Sequence, residues 1–128
     1  MLPIPKSISF VIPTFNEEEQ IAETLERLKT QIPGPDVEVI VADGGSRDGT
    51  VQVAAGFESI QTIVCQRANR GWQMNKGAQF ATGDVLLFLH ADVKLPQDAL
   101  TVVRDALADE NVIGGCFQIR FPIKSRHR

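Results

Sequence analysis

Three short polar groups, each following an apolar strand-like run, carry the residue types that could do chemistry in this chain. Thr14, Asn16 and Glu17 come after a run ending at Pro13, Asp43 and Ser46 come after Val37 to Ala42, and His90 and Asp92 come after Val85 to Leu89. An isolated carboxylate such as Asp92, just past the carboxyl end of a strand, suits a divalent cation, which in turn can hold a diphosphate. His90 is a second candidate ligand, although hard cations prefer oxygen, so the metal is assigned first to Asp92. Asp43 offers acceptors to a base N–H or a ribose hydroxyl, and Gly44-Gly45 lets a ligand approach the backbone closely. Arg67, Arg70 and Gly71 stand at the start of a helix whose free N–H groups attract phosphate. Each piece has a plainer counterpart. Asp92 can cap a helix, Asp43-Gly-Gly-Ser is a common turn, the arginines can be solvated, and His90 can simply pack. The combination at three strand ends is what points to a nucleotide.

The elements that must position these groups alternate along the chain. Ser7 to Pro13 reads as a first strand, and Asn16 with Glu19 reads as a capping box opening a helix. Ile21, Leu25, Leu28 and Ile32 recur on one helical face until Pro33-Gly34-Pro35. A second strand over Val37 to Ala42, a short helix over Thr50 to Ala55 and a third strand over Ile60 to Cys65 follow. The next helix runs from the Arg67 to Met74 turn, with Met74, Ala78 and Ala81 inward. Val85 to Leu89 is an unbroken apolar run of the kind buried on both faces of a parallel sheet. Pro96 opens a further helix striped by Ala99, Val102, Val103, Ala106 and Leu107. Val112 to Arg120 reads as a last strand interrupted at Gly114-Gly115. This alternation predicts a three-layer α/β/α sandwich around a mostly parallel sheet, in which the strand ends share one rim.

Bulk properties agree. The chain has 128 residues, 43% hydrophobic and 23% charged, which fits one ordinary globular domain, placed here at 1–121. No disordered tract or membrane span is expected, and the opening residues do not read as a secretory signal, so the expected compartment is the cytoplasm. A net charge of −3 argues against nucleic acid as partner. Lys124, Arg126 and Arg128, with Arg120 just before them, make residues 122–128 a basic tail, able at most to touch a membrane surface weakly. Cys65 and Cys116 belong to no metal or redox spacing and are expected as buried free thiols.

Phe10-Val-Ile-Pro-Thr-Phe-Asn-Glu-Glu, Val41-Ala-Asp-Gly-Gly-Ser-Arg-Asp-Gly-Thr and Gly83-Asp-Val-Leu-Leu-Phe-Leu-His-Ala-Asp together resemble, in order, three motifs of glycosyltransferase family 2. The resemblance implies a GT-A fold, with truncation left open, binding a nucleotide-diphosphate sugar. It implies that Pro13, Thr14 and Glu17 border the nucleoside, that Asp43 contacts base or ribose, and that Asp92 binds Mn2+ or Mg2+. The implied reaction is inverting sugar transfer to a hydroxyl, assisted by a carboxylate base. This sequence departs from the pattern at Gly44, where a second aspartate is usual, and at His90, where the first acid of Asp-x-Asp is usual. It offers no carboxylate after Phe121, where the family places its base. The expectation is therefore the donor-binding half of a glycosyltransferase, or alternatively a non-catalytic nucleotide-sugar module lacking the acceptor half, with homo-oligomer formation open. A nucleotidyltransferase would need a glycine-rich basic loop in place of Pro13-Thr14-Phe15-Asn16. A phospho-acceptor receiver would need paired acids directly after the first strand.

Overall fold

A computed structural model describes residues 7–31, 34 and 36–118. They divide into two units, the first ending at Gln97 and the second starting at Asp98. In the first, β1 (Ile8–Thr14), α1 (Glu18–Gln31), β2 (Val37–Asp43), α2 (Thr50–Ala55), β3 (Ile60–Val64), α3 (Arg70–Phe80) and β4 (Val85–Phe88) alternate as predicted. All strand pairs are parallel, in the order β3-β2-β1-β4. Chain order runs outward from β1 through β2 to β3 and then jumps back to β4. Right-handed crossovers therefore place α1 and α2 on one face and α3 on the other. β1, paired on both sides, is buried along its whole length, and Phe10, Ile12, Ile40 and Val41 fill the core with Ile21, Leu25 and Leu28 of α1.

Three local expectations are corrected in this unit. Asn16 does not cap α1. Its backbone is left-handed at φ 52°, its side chain accepts from Arg47 N, and the Glu17 carbonyl takes the first helical bond from Ile21 N. The chain turns so tightly after β1 that Asn16 is drawn to the β2 loop instead. β4 is not buried on both faces. Among the described residues it pairs only with β1, α3 covers β1 and β2, and Leu86 and Phe88 stay 42% and 45% exposed. The inner face of α3 is made by Gln73 and Gly77, not by Met74, Ala78 and Ala81.

The second unit contains α4 (Ala99–Leu107). It begins three residues later than Pro96 suggests, because Gln97 and Asp98 form a turn and the Asp98 carbonyl accepts the first helical bond, from Val102 N at 3.0 Å. Residues 112–118 form no strand, and Cys116 is exposed, while Cys65 is buried; both thiols are free. Ile32, the two prolines of Pro33-Gly34-Pro35, residues 119–120 of the last expected strand and the basic tail lie outside the described residues.

At the amino rim of the sheet, Glu38 accepts bonds from Ser9 Oγ at 2.8 Å, Thr82 N at 2.9 Å and Thr82 Oγ1 at 3.2 Å, tying the turn before β4 to β2. Burial works against the ionised form of Glu38, but these donors, led by Thr82 N–H, outweigh it and hold the carboxyl below its usual range. A depressed folded-state pKa stabilises the fold above the ordinary glutamate value and is lost as pH falls through the folded one. Urea midpoints followed down through the acidic range should therefore fall less steeply for Glu38→Gln than for the unsubstituted chain. At Gly77, a Cβ would stand 2.3 Å from Val11 Cγ1 on β1. Gly→Ala inside a helix ordinarily gains about 1 kcal/mol, but overpacking costs about 1–3 kcal/mol, so Gly77→Ala should lower stability to urea. That loss should shrink in a Val11→Ala background.

Candidate functional site

The carboxyl ends of β1 and β2 meet at the last residue pair of their ladder, Thr14 with Asp43. Asp43 has no solvent exposure. Its Oδ1 accepts from Thr14 Oγ1 at 2.8 Å and Ser46 Oγ at 2.6 Å, and its Oδ2 accepts from Gly45 N at 2.9 Å and Ser46 N at 2.7 Å. The loop can curl onto its own carboxylate because Gly45 takes a positive φ of 92°. The network continues outward. Asn16 N donates to Ser46 Oγ, Arg47 N to Asn16 Oδ1, and Glu17 N to Thr50 Oγ1, each at 2.8 Å. Asp48 in turn accepts from the Thr50 hydroxyl, which holds its carboxyl below the usual range against slight desolvation, with Thr50 and Glu18 N–H assisting.

Of the residues singled out in the sequence, Thr14, Asp43 and Ser46 are thus brought into direct contact, while the Glu17 N–H bonds separately to Thr50. Pro13 is buried within β1 beside them. For Asp43 to bond a base or ribose, one of its four present bonds must be exchanged. Arg67 lies over the Trp72 ring, 4.1 Å from its centroid, with Lys76 at 5.3 Å. Arg70 and Gly71 open α3, where Asn69 Oδ1 caps the first turn by accepting from Trp72 N at 2.9 Å. Behind this rim, burial and then the Asp43 charge push the Cys65 thiol up, with Lys76 opposing, so Cys65 stays a protonated core thiol.

His90 and Asp92 stand on the other side of β1. The β1–β4 ladder ends with Val11 and Phe88, and after the bond from Leu89 N to Val11 O the strands part while β1 continues to Thr14. That gap is the topological switch point of the sheet, the place where open α/β sheets bind ligands. Asp92 is exposed in a turn closed by Val93 N and His90 O at 3.1 Å, and Thr24 of α1 anchors the turn by donating to Ala91 O. Thr24 was not evident from the sequence, where it sits unremarkably between Ile21 and Leu25. His90 Nδ1 is buried with no hydrogen-bond partner among the described residues.

The sequence model of glycosyl transferase family 2 matches residues 9–128. The chain belongs to this family. Across 107 residues it is 34% identical to a glycosyltransferase of Bacillus subtilis (strain 168), covering 80% of this chain and 27% of that one. Its fold is similar to a mannosyltransferase from Pyrobaculum calidifontis solved in complex with GDP-Man and Mn2+, with TM-score 0.71 and 27% identity over 85% of this chain and 34% of that one. It is also similar to glucosyl-3-phosphoglycerate synthase from Mycobacterium tuberculosis in complex with Mn2+, UDP and glucosyl-3-phosphoglycerate, at TM-score 0.61 and 26% identity, over 71% of this chain and 35% of that one. The parallel sheet is that of the GT-A glycosyltransferases. This family 2 chain spans about a third of the length of these relatives.

Among the described residues, no group of three or more His, Cys, Asp or Glu side chains is placed to hold a metal ion. Asp92 with an unpartnered His90 nitrogen nearby in sequence offers a sparse donor set. Such a set fits a cation that takes its other ligands from phosphate and water, as Mg2+ commonly does, and not a closed protein cage. No described helix is long and apolar enough to cross a membrane.

Since Asp43 is buried and a buried acceptor that loses a donor is costly, Thr14→Val and Ser46→Ala should each destabilise the chain by about 1–3 kcal/mol in urea denaturation. Ser46→Ala also strips Asn16 N of its acceptor, so it should additionally speed amide exchange at Asn16.

Proposed function

We propose that this chain is the donor-binding part of a metal-assisted, inverting glycosyltransferase, holding a nucleotide-diphosphate sugar at the switch point between β1 and β4. The observation that carries this reading is the convergence on one rim of the Thr14–Asp43–Ser46 network and the His90–Asp92 turn, on either side of the gap where β1 and β4 part. The nucleoside lies against Pro13, Thr14, Glu17 and the loop from Asp43 to Ser46. The diphosphate runs toward Asp92, with Arg67, Arg70 and the first turn of α3 at Gly71 supplying positive charge and N–H donors. Asp92, and His90 as a second donor, hold Mn2+ or Mg2+. When bound, that cation offsets the charge developing on the leaving diphosphate.

In the transfer itself, an acceptor hydroxyl oxygen forms a bond to the anomeric carbon as the bond from that carbon to the diphosphate oxygen breaks. The hydroxyl proton passes to a carboxylate base, a role we assign to no residue of this chain. The support for the reading is family membership and the likeness to proteins solved with GDP-Man or UDP and Mn2+.

Titration calorimetry with UDP and GDP in the presence of Mn2+ tests it. At least one should bind, and Asp92→Ala should weaken that binding by about tenfold or more, on the order of one lost charged ligand. Absence of affinity for both, or equal affinity in Asp92→Ala, would sink the reading. Release of free sugar or its transfer to an acceptor by this chain would show that it also carries a base.

A further inference from the structure

Gly44 and Gln73 meet at the carboxyl end of β2, although α2, β3 and the start of α3 separate them in the chain. Gln73 is only 3% exposed. Both hydrogens of its Nε2 are used, one toward Thr14 O at 2.8 Å and one toward Ala42 O at 2.9 Å. Thr14 O also accepts from Gly44 N at 2.9 Å. A single amide from α3 therefore clasps the ends of β1 and β2 at the residues from which Thr14 and Asp43 enter the site.

There is room for that amide only because residue 44 has no side chain. A Cβ at Gly44 would stand 2.7 Å from Gln73 Oε1, 3.0 Å from Gln73 Cδ and 2.9 Å from Ala68 Cα. The glutamine end can swing away, but the Ala68 backbone cannot do so cheaply. The two departures from an ordinary rim, a glycine where the resembling motif has aspartate and a buried polar residue on the inner face of a helix, are thus one feature.

We propose that Gly44 and Gln73 are a matched pair that shapes the nucleoside end of the donor site. Gln73 is a positioning residue. It fills the space that a side chain at 44 would take and holds the two strand ends at the spacing the nucleoside meets, so the ligand faces loop backbone there in place of a second carboxylate. This rests on the nucleotide reading above. It concerns the β1–β2 side of the rim, so it leaves the Asp92 side unaffected.

The test is a mutant cycle on the full chain, read with UDP and GDP in Mn2+, with pyrophosphate in Mn2+ as a probe lacking a nucleoside, and with urea denaturation without ligand. Gln73→Met keeps the length and loses both donors, and should weaken nucleotide binding by about tenfold, the fold-change of roughly one rim hydrogen bond, with pyrophosphate affinity nearly unchanged. Gly44→Asp should weaken nucleotide binding too, and Gly44→Asp/Gln73→Ala should bind better than Gly44→Asp alone. Unchanged nucleotide affinity in Gln73→Met, a parallel loss for pyrophosphate, or a double variant weaker than both singles overturns the proposal. If Gly44→Asp does not fold, Gly44→Ala replaces it: the loss of urea stability must be smaller in a Gln73→Ala background, and purely additive losses overturn the pairing. A wild-type chain that binds neither nucleotide overturns the nucleotide reading and the positioning role with it, while the urea cycle still decides whether the two residues are matched.

Discussion

A carboxylate taken fully out of water must find donors for its lone pairs within the protein, because an unsatisfied buried charge costs more than most single contacts return. Asp43 meets that demand with four hydrogen bonds, drawn from the end of β1 and from its own loop. Because one donor is Thr14 and two come from Ser46, satisfying the charge forces the β1 turn and the β2 loop into one arrangement. Ser46 then anchors Asn16, Asn16 anchors Arg47, and Thr50 anchors Glu17. The stretch from Thr14 through Asp43 and Ser46 to Asn16 and Arg47 is consequently one hydrogen-bonded chain that starts from one side chain, beside a second set around Thr50 and Asp48.

The opposite side of the site is built differently. There the sheet itself opens, since β4 leaves β1 after Phe88 while β1 runs on to Thr14. Among the described residues, no buried charge organises the His90–Asp92 turn. It is held by its own backbone bond and by one hydroxyl from α1, and Asp92 is exposed. The β2 side of the rim is thus tied by a buried carboxylate, while the carboxylate beyond β4 is exposed and lightly anchored. This division suits a ligand with a shape to be recognised at one end and a charge to be neutralised at the other.

Much of this was readable from the chain. Strand and helix limits for β2, α2 and β3 lie within a residue of those expected, because β-branched runs between glycine and proline punctuation leave few alternatives. Ile21, Leu25 and Leu28 face the core as their spacing requires. The polar residues after the first, second and fourth strands were recognisable as site candidates from residue type and position alone. What misled was local pattern without neighbours. Val85 to Leu89 has the composition of a doubly buried strand, yet burial depends on what lies beside and above it. Asn16 followed by Glu19 has the spacing of a capping box, yet a better acceptor relationship with Arg47 N, available only once the β2 loop is in place, draws Asn16 away.

The sequence by itself determined the alternation of strands and helices, the common rim that parallel pairing imposes, and the family, since these depend on periodicity and on motifs contiguous in the chain. Only the tertiary structure decided that Asp43 is buried and saturated, that Thr24 braces the Asp92 turn, and that Gln73 occupies the space left by Gly44. Each of these is a contact between residues far apart in the chain, whose energy depends on distances and on exclusion of water, and neither quantity exists until the sheet has brought the strand ends together.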